Sequence, residues 1–145
     1  MQWWLIGGVT HGVVTWFLVG LIWIVQRVHY PSMLYVDESR FAEFERMHCQ
    51  KIGQIVAPAM ILEGALAASL VFLAPSTLDL GFAVVGAVLA GVIWWSTFFI
   101  QVPLHNRLQE GKNTDTINRL IATNWIRTVA WSVRGGIATG ILLHA

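Results

Sequence analysis

The chain has 145 residues, of which 56% are hydrophobic and 12% charged, with a mean hydropathy of +0.62 and a net charge of +1. A soluble domain carries about 25% charged residues, so the charge that water would solvate is half missing and lipid is the expected solvent. The balanced charge gives no footing for nucleic acid or an acidic partner, and the single cysteine, Cys49, excludes a disulfide framework and a Cys-rich metal site.

The length suits one domain, and four continuous apolar runs divide it. A run of about 20 apolar residues crosses a hydrocarbon core ~30 Å thick, and continuous rather than alternating runs predict helices. Span one is expected from about Trp3 to Val25. It has no basic stretch before it and no small-x-small motif ahead of Gln26 and Arg27, so it reads as a retained span and not a cleaved signal peptide. Tyr30-Pro31-Ser32 is expected to end it. Residues 39–56 place Phe41, Phe44 and Met47 at helical spacing between charges, which predicts an amphipathic helical approach, capped at Ser39, running into span two. Span two is expected from about Ile52 to Ala74. After the Pro75–Asp79 turn comes span three, from about Leu80 to Val102. A turn at Gly111-Lys112-Asn113 precedes span four, from about Leu120 to Leu143. Gly20, Gly64, Gly91 and Gly136 are expected to let helices approach closely. The predicted fold is an all-α, up-down-up-down four-helix membrane bundle forming one domain over 1–145.

Orientation follows from nine Lys and Arg residues. Arg27, Arg40, Arg46 and Lys51 lie between spans one and two, and Arg107, Lys112 and Arg119 between spans three and four. The rule that basic loops stay cytoplasmic puts both termini on the far side, periplasmic for an inner membrane. The eight tryptophans are expected mainly at the interfaces and in helix packing.

Ionisable groups cost at least ~2.5 kcal/mol each at the bilayer centre and tend to face the bundle interior. Counting rise per residue puts Glu63 about 16 Å, Arg127 about 10 Å and Arg134 about 21 Å from the cytoplasmic boundary. An Arg127–Glu63 ion pair is therefore expected, with His11 in the outer half and Arg134 either inward or snorkelling outward. Asn124, Arg127, Trp131 and Arg134 share one face of span four, as do His11 and Thr15 on span one, and Thr97 and Gln101 on span three. These faces predict a polar pocket. His11, Glu63 and Arg127 are its candidate catalytic groups, with Asn124, Trp131, Arg134, Thr97 and Gln101 as substrate-binding groups. A purely structural ion pair that fixes helix register is the competing account.

His29, His48 and His105 fall near the cytoplasmic interface on three helices, and Glu45 and His48 form an E-x-x-H pair. Three imidazoles and a carboxylate are a candidate site for Zn, Fe or Cu, although a full di-iron set needs a second E-x-x-H. A haem with His11 as axial ligand and no cofactor at all stay open beside it. Cys49, near Lys51 and His48, reads as a structural thiol, and His144 as a terminal residue without a role.

The strings QVPLHNRL (101–108) and INRLIATNWIRTVAW (117–131) resemble the anthrone-oxygenase-like family of small four-span membrane proteins. The matching positions are Pro103, Asn106, Leu108, Asn124, Trp125 and Arg127, with His105 inserted before Asn106. HGVVTWFLVGLIWIVQRVHY (11–30) is similar to the first span of the four-helix membrane protoporphyrinogen oxidases, at His11, Trp16 and Gly20, while Ala59 replaces a glycine of their second span. The two resemblances imply a flat, hydrophobic, oxidisable substrate taken from a membrane, oxidised by oxygen without a conventional cofactor in the first family and with a link to haem in the second. The expected function is a membrane-embedded oxidoreductase or oxygenase-like protein acting on a hydrophobic aromatic molecule. The competing readings are an accessory subunit of a larger membrane complex, or a homo-oligomer, packing against partner helices, pigment or quinone, and, third, a small-anion transporter using Arg127 and Arg134.

Overall fold

The computed structural model describes Gln2–His144, with the side chain of His144 outside the described residues. It is all-helical, with four long rods and no strand among the described residues. Rod one is α1 (Gln2–Ile24), extended by a π-turn (Val25–His29) and two short helical turns to Tyr35. Rod two is α2 (Glu38–Leu73). Rod three is α3 (Thr77–Ser96), a second π-turn (Thr97–Gln101) and α4 (Val102–Leu108). Rod four is α5 (Thr114–His144). Each rod packs on two others, in the cyclic order of the chain.

The helix ends follow from local chemistry. Asp37, rather than Ser39, caps α2: its carboxylate accepts from the Ser39 hydroxyl at 2.5 Å and from the Ser39 N–H at 2.8 Å, and these bonds hold its pKa below the usual carboxylate value. Ser76 caps α3 by accepting from the Asp79 N–H at 3.2 Å, and its hydroxyl donates to the Asp79 carboxylate at 2.5 Å. Asn113 accepts from the Thr116 N–H at 2.8 Å at the start of α5. Lys112 is more than a turn residue. Its ammonium donates to the Leu34 and Val36 carbonyls at 2.8 and 2.7 Å, while Arg46 donates to the Gln109 carbonyl at 3.0 Å. Both basic connections are thus tied together at one end of the bundle.

Pro31 does not end rod one, and rod three does not stop at Val102. A proline lacks an N–H and its ring crowds the carbonyl four residues back, so the preceding turn widens instead. The Tyr30 N–H reaches back to Val25 and the Val102 N–H to Thr97. Each widened turn is followed by its proline, and each adds a residue that rotates the helix beyond it.

Three helical stretches, Gln2–Tyr35, Glu38–Leu73 and Thr77–Leu108, are long and apolar enough to cross a membrane. Rod four has 31 residues, but its polar stripe makes it less apolar. The outer surface is greasy: Phe72 is 89% exposed and Phe99 71%. Contiguous apolar surface on this scale marks contact with something other than water. Tryptophans on this surface still satisfy their N–H groups inward, Trp16 to Thr139 at 3.2 Å and Trp23 to Ser132 at 3.1 Å. Trp4 and Trp131 are instead buried in the core.

Close approach falls on other glycines than expected. Gly20, Gly91 and Gly136 face open space, and of the four named only Gly64 is crowded, by the Trp94 indole nitrogen. A Cβ on Gly135 would meet the Trp16 ring at 3.2 Å, and one on Gly8 or Gly12 would meet rod-four side chains at 3.3 Å. Rods one and four therefore touch through glycine. Gly135→Val is expected to destabilise the bundle by about 1–3 kcal/mol through overpacking, whereas Gly20→Ala should stay within about 0.5 kcal/mol of the parent. Unfolding of the purified protein in detergent checks both.

Candidate functional site

Two polar layers lie along the bundle, and they differ in kind. The first is dry. Arg134, fully buried on α5, binds the Glu63 carboxylate of α2 through Nε at 2.7 Å and through Nη2. Its Nη1 donates to the Gly86 carbonyl of α3, and its Nη2 lies 3.0 Å from His11 Nε2 on α1. With the guanidinium as donor, His11 accepts at Nε2 and carries its proton on Nδ1. Thr15 donates to Glu63 at 3.3 Å. One guanidinium thus touches all four rods.

The ion pair is Arg134–Glu63, not Arg127–Glu63. Depth alone does not choose between the arginines, because Glu63 lies between their Cα levels. Side-chain direction does. Helical side chains tilt toward the N-terminus of their own helix, so Arg134 reaches back to Glu63 while Arg127 reaches away from it. Arg134 accordingly does not snorkel to the outer surface. The void beside His11 is about 10 Å³, and Arg134 holds its Nε2. A haem does not fit there, and neither does a substrate.

The second layer surrounds a cavity of about 320 Å³ at the end of the bundle that carries the basic connections. Its walls are mainly apolar, with Ile22, Met60, Trp94 and Trp131 among them, and Thr97, Gln101, His48, Cys49, His105, Tyr30 and Arg127 supply the polar groups. Both π-turns flank it, Thr97 and Gln101 lying within one and Tyr30 directly following the other. Arg127 sits with its guanidinium 5.3 Å from the Trp131 ring centre, 3.4 Å from the Asn124 carbonyl oxygen that accepts from it, and beside the Tyr30 hydroxyl. Asn124 does not line the cavity. It donates to Gln26 at 2.9 Å, and Gln26 in turn donates to the Ile121 carbonyl at 3.1 Å, which holds Arg127 from behind. Gln101 donates to Thr123 at 3.1 Å. Among the described residues the buried atoms Gln101 Oε1, Arg127 Nε and Trp131 Nε1 have no hydrogen-bond partner. Buried atoms without a partner also occur on Trp4, His11, His29, Glu45, Asp79 and Ser96, none of which lines the cavity.

The histidines do converge. His29 stacks on His48 with ring centres 3.9 Å apart, and His48 lies 5.6 Å from His105. His105 Nδ1 is 2.5 Å from Glu45 Oε1, and His105 Nε2 is 2.9 Å from the Tyr30 hydroxyl. Glu45 is fully buried, although the E-x-x-H spacing joins it to His48 in sequence. Glu45, His105 and Tyr30 form a carboxylate–imidazole–phenol relay that ends beside Arg127. Tyr30 and Gln26 are functional candidates that residue-type reasoning passes over, since each is a single polar group at the end of an apolar run. The signal available for Tyr30 is the proline that follows it.

Of the expected catalytic set, the structure joins His11 and Glu63 in the dry layer and puts Arg127 in the cavity. Of the expected binding set, Thr97, Gln101 and Trp131 line the cavity, Asn124 supports it and Arg134 does not reach it. Arg134→Leu is expected to cost about 3–5 kcal/mol by leaving the Glu63 carboxylate buried and unpaired, and Glu63→Leu in the same chain should restore most of it. Arg127→Leu and Glu63→Leu should add within about 0.5 kcal/mol. A double-mutant cycle on detergent unfolding reads both couplings. No protein-family profile, curated protein or solved structure matches this chain.

Proposed function

We propose that the protein is a membrane-embedded oxidoreductase of the oxygenase type that takes a flat, hydrophobic phenol from the bilayer. In this reading four spans cross an inner membrane with both basic connections cytoplasmic and both termini on the opposite side. The observation that carries the reading is the apolar cavity whose residues hold three buried, unpartnered polar atoms and the end of the Glu45–His105–Tyr30 relay. A cavity of this size, mostly apolar with a few convergent polar groups, suits a small hydrophobic ligand.

The roles follow from position. His105, oriented by Glu45, takes a proton from the substrate hydroxyl by way of the Tyr30 phenol. Arg127 stabilises the oxyanion that forms, which is worth more in a water-poor cavity than in solvent. Trp131 and Trp94 bracket the ring system, and Gln101 and Thr97 offer hydrogen bonds at its edge. An ionised phenol is an electron-rich anion, and dioxygen is the oxidant that the family resemblance implies. His11 has no part in turnover, because its layer has no room for a reactant. Exposed residues in the cavity wall support entry from lipid: Ala57 of α2 is exposed, and on rod three Phe98 is 55% and Val102 41% exposed.

Oxygen uptake with anthrone, whose enol tautomer anthranol is the phenol that the relay deprotonates, tests the proposal in lipid nanodiscs. The parent protein should consume oxygen above the rate of empty discs. His105→Ala and Arg127→Leu should each reduce the difference by at least about 100-fold, the usual scale for a lost general base. Uptake at the empty-disc rate, or parental rates in both variants, contradicts the assignment.

A further inference from the structure

Cys49 stands on the same face of α2 as Glu45, one turn further along, and its thiol donates to Glu45 Oε1 at 3.3 Å. His105 approaches the same oxygen from α4. Glu45 Oε1, Cys49 Sγ and a ring nitrogen of His105 lie within 4.8 Å of one another, close enough for one ion to touch all three. A second observation points the same way. Glu45 Oε2 is buried and has no hydrogen-bond partner among the described residues, so the carboxylate that Cys49 and His105 share through Oε1 keeps its second oxygen unpaired. Cys49 and His105 also line the cavity, which leaves one side of the group open to it.

We propose that Glu45, Cys49 and His105 hold one divalent first-row transition ion, with its fourth coordination position facing the cavity. The donor set decides the class. A thiolate and an imidazole select Zn²⁺ or a similar transition ion over Mg²⁺ or Ca²⁺, which want oxygen alone. Three protein ligands with a fourth position open is the arrangement of catalytic rather than structural metal sites. Binding expels the Cys49 thiol proton to solvent as the S–metal bond forms. The His105 proton moves from Nδ1 to Nε2, where the Tyr30 oxygen accepts it, so Tyr30 fixes the ligating tautomer from the second shell. His48 and His29 stack outside the three ligands. This goes beyond the phenol-oxidising proposal and uses two of its residues: with the ion bound, His105 is a ligand at Nδ1 and a donor at Nε2, so the proton relay runs only in the metal-free chain.

The test uses the full chain in detergent, stripped of metal and titrated with Co²⁺. One equivalent should bind, giving visible bands of tetrahedral Co²⁺ and an ultraviolet thiolate-to-cobalt charge-transfer band, and Zn²⁺ should displace it. Cys49→Ser should lose the ultraviolet band, and His105→Ala and Glu45→Gln should weaken binding at least tenfold. Tyr30→Phe should weaken it about tenfold while leaving the ultraviolet band in place. Glu45 is buried and its variant is the one at risk of misfolding. Cys49→Ser, at a half-buried position, carries the decision, with its metal-free unfolding temperature as the control. Absence of the charge-transfer band in the parent chain, or its persistence in Cys49→Ser, overturns the site. Either result leaves anthrone turnover by metal-free protein unaffected, so the two proposals fail separately.

Discussion

A carboxylate without water is the constraint on which this bundle depends. Taking Glu63 into the core costs several kcal/mol, and only a well-placed cation with its own hydrogens satisfied repays that cost. Arg134 is that cation, and its remaining donors are used on the Gly86 carbonyl and on His11. Because the contacts come from four different rods, register, rotation and distance are set at one level of the bundle. Leu70, Ala83, Trp4 and Ile141 pack on one side of that level and Leu18, Ile22, Met60 and Trp131 on the other.

That arrangement explains why the polar residues divide into two layers. Near the ion pair the rods meet closely, with glycines on rods one and four admitting side chains from the opposite helix. Further along, the two π-turns and their prolines interrupt the α-helical course of rods one and three, and residues of both turns line the cavity. In the dry layer Arg134, Glu63 and Thr15 are spent on each other and on the Gly86 carbonyl, while His11 Nδ1 is left without a partner. Those around the cavity are held from behind, Arg127 by Asn124 and Gln26, and His105 by Glu45. A closely packed layer around an ion pair and a second layer around a cavity thus follow one another along one short chain.

Much of this is legible in sequence, for reasons that can be named. The apolar runs predict the helices because their length and lack of alternation admit no other spanning form. Convergence of His29, His48, His105 and Glu45 is foreseeable because all four fall at one end of adjacent helices. The partner of Glu63 is not, since rise per residue locates Cα atoms while an arginine acts several ångströms away, toward its own N-terminus. Pro31 reads as a terminator, yet a π-turn lets the helix absorb it, and no local pattern separates the two outcomes. Gly20 and Gly135 look alike as letters, and only packing shows that one faces open space and the other a tryptophan.

In the function proposed above, Arg127 and the His105 relay favour an ionised phenol inside an apolar cavity. A hydroxyanthraquinone dye, whose visible spectrum reports ionisation of its phenol, measures this directly in detergent-solubilised protein. Binding should be saturable and one-to-one, with the bound dye ionised at a pH where the dye in empty micelles is neutral, and should be lost in Val56→Trp, which fills the cavity. Dye that partitions without saturation, or that stays neutral when bound, would contradict it.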